Sequence, residues 1–131
     1  MRSKLLRVGG LLVVASLLTA PMTADASSAL RGIMRTWKRH LRASSPIVSG
    51  RAAFDEATIR ETLTTYIADS ARLSSAITGQ SADSKDIKRR FVQFGADSQH
   101  ALDSLGQANT LQAAFKHIDN DCQSCHDQYK D

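Results

Sequence analysis

Four stretches of the chain repeat apolar residues every three or four positions, the period of a helix with one buried face. The first spans about Ser27 to Ala43 and carries Leu30, Ile33, Met34, Trp37 and Leu41 on one side. Ser44-Ser45-Pro46 is expected to end it, because a proline disfavours helix in the residue before it. A loop to about Phe54 follows. Asp55 is the expected cap of the second helix, with Glu56 and Glu61 near its positive end. Ile59, Leu63, Tyr66, Ile67, Leu73 and Ile77 mark its inner face, Gly79 reads as its C-cap, and Gln80 to Asp83 as a linker. A third helix begins near Ser84 with a stripe of Ile87, Phe91, Phe94, Ala101, Leu102 and Leu105, which Gly95 weakens without breaking. Asn109 or Thr110 is expected to cap a fourth, lined by Leu111, Ala114, Phe115, Ile118, Cys122, Cys125 and Tyr129. Four such helices on short loops predict an all-α, antiparallel up-down-up-down four-helix bundle.

Composition narrows this little further. Two prolines and seven glycines are too few for the frequent turns of a β-sandwich. Aromatic residues make up only 5 %, so the core is expected to be aliphatic or to be filled by another group.

The start of the chain departs from the pattern. Arg2, Lys4 and Arg7 precede an apolar run from Leu11 to Ala20, and Ala24-Asp25-Ala26 then offers small residues for a signal peptidase. Residues 1–26 therefore read as a cleaved export signal, which places the protein in the periplasm. The run is short for a membrane span of ~20 residues, so no stable anchor is expected after cleavage. With no cysteine near the cleavage site, a lipoprotein anchor is excluded. Cleavage removes three cations and one anion, so the net charge falls from +4 to +2, too weak to argue for nucleic acid. The domain proper is residues 27–131.

The chemistry is carried by Cys122-Gln123-Ser124-Cys125-His126. C-x-x-C-H is the attachment signature of c-type haem. Two thiols three residues apart on a helical turn can each add to a haem vinyl group, and the adjacent histidine is then placed under the iron as proximal ligand. Three other uses remain open: a thioredoxin-like dithiol, which belongs at a helix N-terminus after a strand; a zinc site, which lacks an obvious fourth ligand; and a simple disulfide.

With this motif on its last helix, the chain resembles the class II cytochromes c, the cytochrome c′ family and its low-spin relatives. Tyr129-Lys130 after the motif, with a basic residue four positions past the histidine, and Leu111-Gln-Ala-Ala-Phe115 before it are similar to that family's ending. The family's fold is itself a four-helix bundle, so resemblance and periodicity agree. The resemblance implies one covalent haem c on Cys122 and Cys125, with His126 as an iron ligand. In low-spin members a methionine on the first helix is the sixth ligand. Met34 is the only methionine after residue 26, and its spacing to His40 is similar to that pattern. The family commonly has an arginine four residues before that ligand; here Leu30 stands there and Arg31 follows, so Arg31, with Lys130, is the candidate haem contact. The implied function is a single-electron carrier rather than an enzyme. The alternative is a five-coordinate cytochrome c′ that binds small gases such as NO or CO, with Met34 as pocket lining. The family's pairing through its first two helices leaves a homodimer open.

Two basic clusters bear on partners. Arg31, Arg35, Lys38 and Arg42 lie within about 60° on the first helix, with Arg39 alongside. Lys85, Lys88, Arg89 and Arg90 open the third. Either is a solvated face or a docking surface for an acidic redox partner. His100 and His117 are expected to face outward and His40 to sit at the edge of its apolar face.

Overall fold

The structure, a computed structural model of the chain, describes residues 24–129. Residues 1–23 of the expected export signal, and Lys130, lie outside the described residues. Four helices, α1 (Ala24–Val48), α2 (Glu56–Ala76), α3 (Ala82–Asp103) and α4 (Ala108–Gln128), pack against each other, and the described residues contain no strand. Cross-helix contacts fix the antiparallel order. On α1 and α2, Trp37 pairs with Asp69 and Ser44 with Thr62. On α3 and α4, Asp86 pairs with Tyr129 and Arg90 with Ser124.

Helix starts follow local capping chemistry. Asp55 caps α2, accepting from Thr58 N at 3.2 Å and Thr58 Oγ1 at 2.7 Å. Those bonds, the side-chain one first, hold its carboxyl below the ordinary range. Ser81 caps α3 by accepting from Ser84 N at 3.1 Å, so α3 starts two residues before Ser84. Neither Asn109 nor Thr110 caps α4; the helix starts at Ala108, and its N-cap, Gln107, makes no side-chain capping bond.

Helix ends hold two corrections. Pro46 does not stop α1, which runs on to Val48. A proline this close to a C-terminus removes only one helical bond. Its own carbonyl accepts from Arg51 N at 2.8 Å, and Gly50 N donates to Ile47 O at 3.1 Å. With Gly50 at φ +74, this is a Schellman closure, and Gly50 is the true stop. Gly50→Ala forces a side chain into left-handed backbone. It is expected to lower unfolding free energy by about 1 kcal/mol, read from urea denaturation. Gly79 is not left-handed and does not cap α2, whose C-cap is Ile77. Its lack of a Cβ serves a close approach instead, since a Cβ there would meet Ser84 Cβ at 2.9 Å.

The core is aromatic at its centre. Trp37 stacks on Phe94, with centroids 4.5 Å apart, and Tyr66 and Phe91 close the cluster. The expectation of an aliphatic core is therefore corrected: the scarce aromatics are concentrated at mid-bundle. The cluster is fastened by polar bonds. Trp37 Nε1 donates to Asp69 at 2.9 Å, and Tyr66 Oη donates to the Trp37 carbonyl at 2.9 Å. Burial pushes the Tyr66 phenol well up from its ordinary value.

α2 departs from its expected face. Ile59, Leu63 and Tyr66 are buried, while Ile67, Leu73 and Ile77 are half-buried. Thr62, Asp69, Ser70 and Ser74 are buried with them. α2 lies between α1 and α3, so it buries two sides, and small hydroxyl residues fit the close approaches. Ser70 meets α3 at Gly95, where an added Cβ would come within 2.7 Å of its Oγ. Thr62 Oγ1 donates to Thr58 O at 3.0 Å, so Ser44 Oγ is the donor in its 2.6 Å bond to Thr62.

Candidate functional site

The C-x-x-C-H segment occupies the last two turns of α4. Residues four apart share a helix face, so His126 stands one turn beyond Cys122 on the same side, with Cys125 beside it. Cys122 is half-buried and packs against the core, Cys125 is half-buried, and His126 is exposed. Both thiols are free.

α3 holds this segment in place. Arg90 Nη1 donates to Ser124 Oγ, inside the motif, at 2.8 Å, and Arg90 Nε donates to Asp86 Oδ2 at 2.7 Å. Tyr129 Oη donates to the same Asp86 oxygen at 2.8 Å, and Arg90 lies over the Tyr129 ring. Arg89 completes the cluster as a third partner of Asp86. These donors, Arg90 first, then Tyr129 and Arg89, hold the Asp86 carboxyl far below the usual carboxylate range. In the second basic cluster Arg89 and Arg90 both pair with Asp86, and Lys85, Lys88 and Arg89 are exposed.

The thiols are in surroundings that oppose ionisation. Burial first, then the charges of Asp119 and Asp121, pushes Cys122 up to about 12. Burial also raises Cys125, against the pull of Arg90. Both sit at the negative end of a helix. A nucleophilic dithiol needs the reverse: a helix N-terminus and a lowered thiol pKa. Among the described residues, no group of three or more His, Cys, Asp or Glu is arranged to hold a metal ion, so the motif does not form the converging set of a structural zinc site.

The bundle is unevenly closed along its length. Every fully buried apolar side chain among the described residues lies at the Trp37–Phe91 layer or on the far side of it from the motif. At the motif's end, Leu30, Ile33 and Met34 of α1, Leu73 and Ile77 of α2, Ile87 of α3 and Cys122 of α4 are only partly buried; the opposite end has partly buried residues too, such as Ile47, Val48, Leu102 and Leu105, but packs them over fully buried Ile59, Leu63, Leu111 and Phe115. An apolar, incompletely covered end beside two protonated thiols, a histidine and a thioether fits the donor set and surroundings that a covalent haem needs.

The other candidate residues fall around this end or away from it. Met34 is half-buried on α1, which packs on α4. Arg31 is exposed, one turn nearer the start of α1. Arg35, Lys38, Arg39 and Arg42 are exposed as well, and no acidic residue falls between Ser27 and Val48. His100 and His117 are exposed and His40 is half-buried, as their helix positions predict. Asp69, Asp86, Asp97 and Asp121 were not legible as functional positions. Asp69 had one signal, its place between Tyr66 and Leu73 on an inward face; the others pair across helices and leave no local pattern. No helix among the described residues is long and apolar enough to cross a membrane.

Comparison with protein-family models, with curated proteins and with solved structures finds no match to this chain.

Proposed function

We propose that this protein is an exported, periplasmic c-type cytochrome with one covalently attached haem, and that it carries single electrons. The observation that carries the proposal is the position of the C-x-x-C-H segment, at the end of the bundle where, among the described residues, the apolar side chains are partly buried and none is fully buried. Cys122 and Cys125 are the thioether anchors, His126 the proximal and Met34 the distal iron ligand. Leu30, Ile33, Ile77 and Ile87 exclude water, and Arg31 and Lys130 are the candidate contacts to the haem's carboxylates. Haem supplies a one-electron iron couple, whose potential is tuned by axial ligand and burial. Arg90 holds the attachment turn still through Ser124, so the ligand histidine is carried by a braced helix end. No residue here is assigned a catalytic role. The exposed cations of α1 form a docking face for an acidic redox partner, and their effect falls mainly on the rate of encounter.

The test is the absorption spectrum of the ferrous protein, purified from a host with haem-attachment machinery, before and after carbon monoxide. A sharp low-spin α band that carbon monoxide does not move is expected. A high-spin spectrum that shifts with carbon monoxide transfers the protein to the gas-binding class, with Met34 as pocket lining. A colourless protein overturns the proposal and leaves a helical bundle with a free or disulfide-bonded cysteine pair.

A further inference from the structure

One feature of the α3–α4 seam takes no part in anchoring or ligation. Asp121 of α4 lies against Asp97 of α3, carboxyl to carboxyl, directly before the first cysteine of the motif. Oδ2 of Asp121 is shut off from solvent and has no hydrogen-bond partner. Asp97 is already an acceptor, from Gln93 Nε2 at 3.1 Å. The nearest cation is Arg90, and it is committed elsewhere, to Asp86 at 2.7 Å and Ser124 at 2.8 Å. Beside the pair, Arg89, Arg90, Gln93, Asp121 and Ser124 line a cavity of about 220 Å³.

Two carboxylates in contact, partly desolvated and without a cation of their own, cannot both remain charged at low cost; one keeps a proton. Asp121, with its closed-off oxygen, is the natural holder, and Asp97 the acceptor. Burial first, then Asp97, pushes Asp121 up to about 7, with Arg90 opposing. The charged groups acting on Asp121 are thus Asp97 and Arg90, both on α3. On α4 itself, Cys122 is the titratable neighbour that feels the charge of Asp121. The pair is separate from the iron ligands: Asp121 is five residues from His126.

We propose that Asp97 and Asp121 are a proton site linked to electron transfer: as one electron arrives from a redox partner, the pair takes up to one proton from solvent, and it returns that proton when the electron leaves. The linkage rests on the electron-carrier proposal above. Its cause is Coulombic. An added electron makes the motif's end more negative, which raises the affinity of the adjoining pair for a proton. The sign follows: the reduced protein binds the proton more tightly, so the midpoint potential falls as pH rises across neutrality.

Two measurements on the purified full chain decide it. In the first, carboxyl-carbon NMR follows the aspartates against pH in both redox states. One carboxyl is expected to titrate near neutrality, at a higher midpoint in the reduced protein. Asp121→Asn removes that titration, and Asp97→Asn moves the midpoint of Asp121 down but leaves it above the ordinary carboxylate range, because burial, the larger cause, remains. In the second, the midpoint potential of the wild type is expected to fall from pH 6 to pH 8 and that of Asp121→Asn to lose this dependence. Ordinary titration of Asp121 in the wild type overturns the proton site. Neutral titration with the same potential–pH profile in wild type and Asp121→Asn overturns the linkage. A colourless protein ends the electron-carrier proposal and the linkage with it, while the NMR titration still decides whether the pair holds a proton.

Discussion

Replacing Trp37 with alanine is expected to lower the unfolding free energy by about 3–5 kcal/mol, the range for removing a large buried aromatic side chain. The position carries more than its area. Trp37 is 6 % exposed, stacks on Phe94 and touches Tyr66 and Phe91. It is the point at which α1 joins α2 and α3. Its loss also leaves Asp69 without its buried donor, although Arg72 remains as a more exposed partner. A domain of this size has about 5–15 kcal/mol in total, so the variant is left near the edge of folding. Trp37→Phe separates the two contributions. It keeps a ring in the stack and deletes the N–H, so its cost is expected to fall to about 1–2 kcal/mol. Urea denaturation followed by far-UV circular dichroism gives both values. Equal losses in the two variants would show that the hydrogen bond to Asp69, not the stack, is what Trp37 contributes.

The same residue marks where sequence reading succeeds and where it stops. Trp37 falls on the expected face of α1 because a helix of period 3.6 needs only local information to declare its inner side. Asp55 is legible for the same reason, since its carboxyl caps an amide three residues away. The C-x-x-C-H segment is legible because its chemistry lies within five consecutive residues. What lies between helices is not. Pro46 looks like a stop until Gly50, four residues on, is seen to close the helix. α2 looks one-sided until α1 and α3 both press on it, and then Thr62, Ser70 and Ser74 are buried by the small spaces available rather than by hydrophobicity. Asp97 and Asp121 are ordinary surface letters in the sequence. Only the antiparallel pairing of α3 and α4 brings them together. The scarcity of aromatics misled for a related reason: composition counts rings but does not say that Trp37, Tyr66, Phe91 and Phe94 share one layer.

The second large effect concerns Met34. Under the proposed function, Met34→Leu is expected to convert a ferrous protein indifferent to carbon monoxide into one that binds it, with a broad high-spin spectrum before the gas is added. Leucine is the informative substitution, since it nearly conserves volume and apolarity and removes the sulfur. Met34 is half-buried among Leu30 and Ile33, at the end of the bundle that carries the C-x-x-C-H segment. A side chain that merely fills space there tolerates leucine with no spectral change. A side chain that ligates iron does not, because only the thioether is a donor. Loss of that soft ligand is also expected to lower the midpoint potential, since a Met/His pair holds haem at a higher potential. Met34→Ala should give the same spectrum with a larger loss of stability. His40 does not replace the sulfur: six residues on, it has turned by about 240° around α1 and stands on another side. An unchanged ferrous spectrum in both variants would remove Met34 as ligand. A wild type that binds carbon monoxide and is unaltered by Met34→Leu would place Met34 in the lining of an open site and make gas binding, not electron transfer, the use of this bundle's uncovered end.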